Sequence, residues 1–121
     1  MNLKTLVVLW VMFFSSTSTA QVFDIVLEYE DLGDFNVYGK NHPTTGIRDY
    51  AILVLEGLLQ GPCTKGVFLH QVDDKLVFAT LLNAINAKEK IRVFYDTSAT
   101  AALLWGDSRY CGITLLQVNK K

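Results

Sequence analysis

The hydrophobic pattern changes period several times along the chain, and each change marks an element. An unbroken apolar run, Leu6 to Phe14, follows a start whose one charge is Lys4, and small residues follow from Ser15 to Ala20. Val22-Phe23-Asp24-Ile25-Val26-Leu27-Glu28-Tyr29 is β-branched and aromatic with partial alternation, which predicts a strand. Glu30 to Asp34 reads as a turn and Phe35 to Tyr38 as a short second strand. Gly39 to Gly46, with Asn41, His42, Pro43, Thr44 and Thr45, is a loop by composition. Tyr50 to Glu56 is continuously apolar up to its last residue, as expected of a strand covered on both faces or of a short helix. Val67 to His70 is another short strand.

One helix is well marked. Phe78, Leu81, Leu82 and Ile85 recur at i, i+3, i+4 and i+7, so they share a face. Asp73 or Asp74 is placed to cap it, and Lys88 and Lys90 end it with the charge that suits the helix dipole. Ile91 to Tyr95 is a strand interrupted by Arg92. Asp96 to Asp107 reads as a long loop, and Tyr110 to Val118 as the closing strand, with Lys120 and Lys121 expected to fray. Strands, one helix and strands again predict an α+β class. The leading architecture is a small, mostly antiparallel OB-like β-barrel with one packed α-helix; a plain antiparallel sheet under one helix is the alternative.

The N-terminal pattern changes what the rest means. A basic start, a short apolar core and a small-x-small exit (Ser18, Ala20) form a secretory signal peptide over residues 1–20, with the processed chain starting at Gln21. The apolar run is too short to span a bilayer, which takes about 20 apolar residues. The expected product is a secreted or periplasmic single domain, residues 21–121, that does not insert in a membrane. The whole chain has a formal net charge of −1 and no basic stripe, which argues against nucleic acid as a partner. Exported chains usually oxidise an even cysteine pair, so Cys63 and Cys111 are expected to form one disulfide closing a long loop. A redox or metal role lacks a Cys-x-x-Cys and any histidine at ligand spacing, so no cofactor or metal is expected.

Catalytic signatures are sparse. Ser98 and Ser108 lie in no nucleophile-elbow pattern, and no His-Glu-x-x-His, P-loop, Gly-x-Gly-x-x-Gly or EF-hand pattern occurs. His70 with Asp73 or Asp74 is the one local acid–base pair, and it reads more simply as a histidine beside a helix cap. The unusual segment is the late loop. Thr100-Ala101-Ala102-Leu103-Leu104-Trp105-Gly106 is apolar where loops are normally polar. Either it packs under the barrel or it presents Leu103, Leu104 and Trp105 to a partner, where Trp105 with Arg109 nearby would stack on a sugar ring or anchor a protein contact. Tyr38 and His42 offer a second polar-aromatic surface.

From Gly61-Pro62-Cys63 onward, the chain resembles a family of small secreted proteobacterial proteins. The shared features are that segment, a short strand, the helix Phe78 to Ile85, the strand Lys90-Ile91-Arg92-Val93, and Cys111 opening the last strand. The same order resembles the B subunits of bacterial AB-type toxins of the enterotoxin and subtilase-cytotoxin kinds, OB-fold pentamers that bind cell-surface glycans. The resemblance covers about half of the processed chain and transfers no sugar-binding residue by position. It implies a non-enzymatic binding module for a glycan or protein partner, able to form a homo-oligomer. The alternatives are a periplasmic inhibitor or immunity-type protein, with the acidic run Asp24 to Asp34 meeting a basic enzyme, and a small hydrolase using His70.

Overall fold

The computed structural model describes residues 21–118; the signal peptide expected at 1–20 and the terminal lysines lie outside the described residues. The strands are β1 (Val22–Leu27), β2 (Phe35–Val37), β3 (Tyr50–Val54), β4 (Gly66–His70), β5 (Ile91–Ala101) and β6 (Asp107–Val118). Helix α1 (Lys75–Asn86) joins β4 to β5, and a single-turn helix, α2 (Ala102–Trp105), joins β5 to β6. Short 3-10 turns, Tyr29–Asp31 and Thr45–Ile47, punctuate the first half.

All six strands form one mixed sheet in the order β1-β5-β6-β4-β3-β2. Neighbours are antiparallel except β4 and β6, which run parallel over a short seam, Gly66↔Tyr110 to Phe68↔Gly112. The α+β class is therefore observed, as is the Cys63–Cys111 disulfide. The barrel expectation goes further than the structure does. Among the described residues no ladder joins β1 to β2, so the sheet stays open. The parallel seam also departs from the plain antiparallel alternative, because α1 carries the chain across the sheet before β5 begins.

Strand alternation sorts the side chains into two layers. Leu27, Ala51, Leu53, Val67, Leu69, Ile91, Val93, Tyr95 and Cys111 are fully buried on the α1 side, together with Leu81 and Ala84 of the helix. Phe78 and Ile85 pack half-buried against this cluster, so the face marked by periodicity is the face that docks. The helix start differs from expectation. Asp74 gives its side chain to the His70 N–H at 3.0 Å, and no side-chain cap bond enters α1. Its end is closed by Lys88 in a left-handed conformation (φ 54°), with the Glu89 N–H bonded to the Ala84 carbonyl at 2.9 Å.

The second layer is where sequence and structure part. Residues 96–101, expected in a loop, extend β5, with register shifts against β6 between Asp96 and Thr100 and again before Ala101. Those irregularities bend the strand end, and α2 then folds back over the sheet face opposite α1, ending at Gly106 with φ 81°. Beneath it Ile47, Ile52 and Ala101 are buried.

Candidate functional site

The face opposite α1 carries a cluster of aromatic rings. Tyr50 on β3 and His70 on β4 are register partners, as are Ile52 and Phe68, so Tyr50, Phe68 and His70 rise side by side from two strands. Tyr110 comes up from β6 across the parallel seam, and Gly112 opposite Phe68 leaves room for the ring. Trp105, from the end of α2, lies over this group. Its ring centroid is 5.4 Å from those of Tyr50 and Phe68 and 6.2 Å from that of Tyr110, all tilted or edge-on. Tyr50 stands 4.8 Å from His70 and 5.8 Å from Phe68. Such edge-to-face contacts between rings contribute about 0.5–1.5 kcal/mol each beyond their burial.

Positioning α2 there requires Gly46. A Cβ on this residue would come within 1.7 Å of the Leu104 carbonyl oxygen, so the backbone of the Thr45–Ile47 turn touches α2 directly. The turn thus sets the height of Trp105 above the sheet. Trp105 and Leu104 are half-buried, whereas Leu103 is 99% exposed at the tip. Within this apolar segment Ala101 is buried, Leu104 and Trp105 are half-buried, and Leu103 stands out from the surface.

Tyr38 and His42 join the same patch. The Tyr38 N–H donates to the Tyr50 carbonyl at 2.9 Å, and the Tyr38 and His42 rings meet edge-on at 5.1 Å. Gln71 fastens this corner, donating from its side-chain amide to the carbonyls of Tyr38 and Tyr50 at 2.9 Å each. Arg109 lies elsewhere. It alternates with Tyr110 and so falls on the Cys111 side of β6, held by Asp107 through Nε and Nη2 at 2.9 and 2.8 Å. That ion pair leaves its guanidinium little to offer a ligand on the aromatic face.

Both histidines spend Nδ1 on local turns. His42 Nδ1 accepts the Thr44 N–H at 3.1 Å; His70 Nδ1 accepts the N–H groups of Val72 and Asp73 at 3.2 and 3.1 Å. Each ring is then the tautomer with its proton on Nε2, and His70 acts as the cap of the turn leading into α1. Burial pushes the phenols of Tyr50 and Tyr110 above their ordinary value; Asp73 and Asp74 add to the first, Asp107 and Tyr38 to the second. Both hydroxyls stay protonated at neutral pH and serve as hydrogen-bond donors and acceptors. Among the described residues no group of His, Cys, Asp or Glu is arranged to hold a metal ion.

Sequence reasoning placed Trp105, Leu104, Tyr38 and His42 on two separate surfaces and missed Tyr50 and Phe68. Their signal was present: period two puts Tyr50 with Ile52 and Phe68 with His70 on shared faces.

Apart from the aromatic face, a hollow lies between the Tyr29–Asp31 turn, the start of β2 and the end of α1. It has a volume of about 390 Å³ and is lined by Tyr29, Leu32, Phe35 and Ile85, with Glu30 and Asp34 at its wall.

Fold and patch together define a disulfide-stapled α+β domain with one sheet face given to stacked aromatic side chains. Compared with protein-family models, curated proteins and solved structures, the chain shows no match.

Proposed function

We propose that this chain is an exported, non-enzymatic recognition module that binds carbohydrate on the face around Trp105. The observation that carries the reading is convergence. Residues from three distant segments, Tyr50, Phe68 and Tyr110, meet under or beside one half-buried tryptophan, and Tyr38 is tied to Tyr50 through its backbone. Flat rings match the apolar C–H faces of a sugar, and neutral phenols with an imidazole Nε2–H supply hydrogen bonds to its hydroxyls. The resemblance to toxin B subunits supports the same ligand class; the open strand order lends no support to the barrel half of that resemblance.

The test uses protein exported by a bacterial host and purified with its disulfide intact. Trp10 belongs to the expected signal peptide, so Trp105 is the one tryptophan of the processed chain and reports directly on the site. Ligands found on a glycan array should shift its emission, and Tyr50→Ala should weaken them roughly tenfold or more, about 1.4 kcal/mol. A folded protein that leaves the array blank ends this proposal.

A second reading has its own observation. The hollow lined by Glu30 and Asp34 combines two acidic residues with Tyr29, Leu32, Phe35 and Ile85, which suits a lysine or arginine side chain of a protein partner and supports an inhibitor-type role. Capture of a basic enzyme that is lost with Glu30→Lys and Asp34→Lys, but kept with Trp105→Ala, would favour it over the carbohydrate reading.

A further inference from the structure

The strand β1 ends the sheet, and it is unguarded on every side that matters. Its sequence, Val-Phe-Asp-Ile-Val-Leu, has no proline, lysine or glycine, the usual means of blunting an edge. Val22 and Val26 are 55% and 49% exposed on one face, and Phe23 is 38% exposed on the other. The strand's one charge, Asp24, is paired within the chain to Arg92 at 2.7 Å, and with 46% of the arginine and 38% of the aspartate side chain exposed its carboxylate still acts on a neighbour. The Thr97 N–H bonds to the Gln21 carbonyl, so residues 21, 23, 25 and 27 turn their backbone groups toward β5. The N–H and C=O groups of Val22, Asp24 and Val26 point outward instead, to the side where no strand pairs with them among the described residues.

We propose that β1 is a self-pairing edge, through which two copies of this chain join antiparallel with Ile25 on the two-fold axis. In that register Asp24 faces Val26 of the other copy and Val26 faces its Asp24, so the outward groups of both residues exchange backbone hydrogen bonds in reciprocal pairs. Phe23 falls opposite Leu27 on the α1 side. Moving the axis one residue, onto Asp24, sets two carboxylates directly opposite each other, which like charge disfavours. The ladder stops at Glu28, whose N–H is already given to Asp31 at 2.9 Å.

A second copy is the occupant because the edge is its own complement. The other end of the sheet, β2, has only three residues, Phe35–Val37, too few to receive a six-residue strand. Head-to-tail pairing of β1 with β2, which would run on into a fibre, is thereby disfavoured, and the isologous pair closes on itself.

The test is the mass and cross-linking of the exported protein. Light scattering after gel filtration should give twice the chain mass at micromolar concentration. Ile25→Cys should form a covalent dimer on mild oxidation, since facing residues of a non-hydrogen-bonded pair bring their Cα atoms to about 4.5 Å. Val26→Glu should shift the protein to monomer, raising the dissociation constant roughly tenfold or more by facing Asp24 of the other copy. Within its own chain that residue is exposed and opposite Arg92, so the fold is retained and circular dichroism should be unchanged. A monomeric wild type, or a dimer indifferent to Val26→Glu whose Ile25→Cys form does not cross-link, overturns the proposal.

Discussion

Removing the disulfide should cost this domain a large part of its stability. Cys63 lies in the segment between β3 and β4, Cys111 lies on β6, and the two are 48 residues apart in sequence. In the chain-entropy treatment, opening a loop of that length frees the unfolded ensemble by about 4 kcal/mol. Domains of this size hold about 5–15 kcal/mol in total. Both sulfurs are fully buried, so Cys63→Ala with Cys111→Ala also leaves a void, adding about 1–2 kcal/mol. The two contributions separate experimentally. Urea unfolding, followed by far-ultraviolet circular dichroism and Trp105 emission, is run on oxidised wild type, reduced wild type and the double variant. Reduction alone should lower the unfolding free energy by about 4 kcal/mol and the melting temperature by about 20 °C. The denaturant slope should rise as the unfolded chain expands. Loss should begin at the short β4–β6 seam, where Val67 pairs with Cys111, and hydrogen exchange there should accelerate before it does at β5. A reduced protein within about 1 kcal/mol of the oxidised one would refute the reasoning.

Gly46→Ala should push α2 off the sheet without unfolding the α1 side, seen as a red shift of Trp105 emission and a stability loss of about 1–3 kcal/mol. Leu103→Asp, at a side chain 99% exposed, should change the unfolding free energy by less than about 0.5 kcal/mol, measured by urea titration. Stability should fall in acid. Hydrogen bonds from Arg109, Ser98 and Lys65 hold Asp107, Asp96 and Glu56 below the ordinary carboxylate range, so their stabilisation is present above about pH 4 and is lost as pH falls through the depressed folded values. Asp107→Asn should flatten that acid limb in a pH series of melting curves. In alkali the sign reverses. The raised phenols of Tyr50 and Tyr110 stabilise the fold below about pH 10, and this is lost as pH rises through their folded values, so Tyr50→Phe with Tyr110→Phe should shift the alkaline transition upward.

What was legible in the chain follows from the range of the forces involved. The α1 face, the β1 and β3 strands and the cysteine pairing are set by local period or by simple parity of count, and they appear as expected. Strand neighbours are not local. Nothing near Tyr110 announces that β6 runs parallel to β4, and that pairing is what brings Tyr110 beside Phe68. The stretch 96–101 misled because Thr97, Ser98 and Thr100 suit either a loop or an irregular strand, and only the partner residues of β6 decide between them. Gly46 likewise sits in a polar loop with no local reason to be glycine; the reason is the Leu104 carbonyl, 58 positions later in the sequence. The aromatic face depends on these long-range contacts. Its rings are spread from Tyr38 to Tyr110, each unremarkable where it stands; strand pairing gathers Tyr50, Phe68 and His70, and the irregular end of β5 brings Trp105 over them. A binding reading of Trp105 is therefore inseparable from the bulged end of β5: straightening that strand would leave Tyr50, Phe68 and His70 side by side on the sheet but take Trp105 off them.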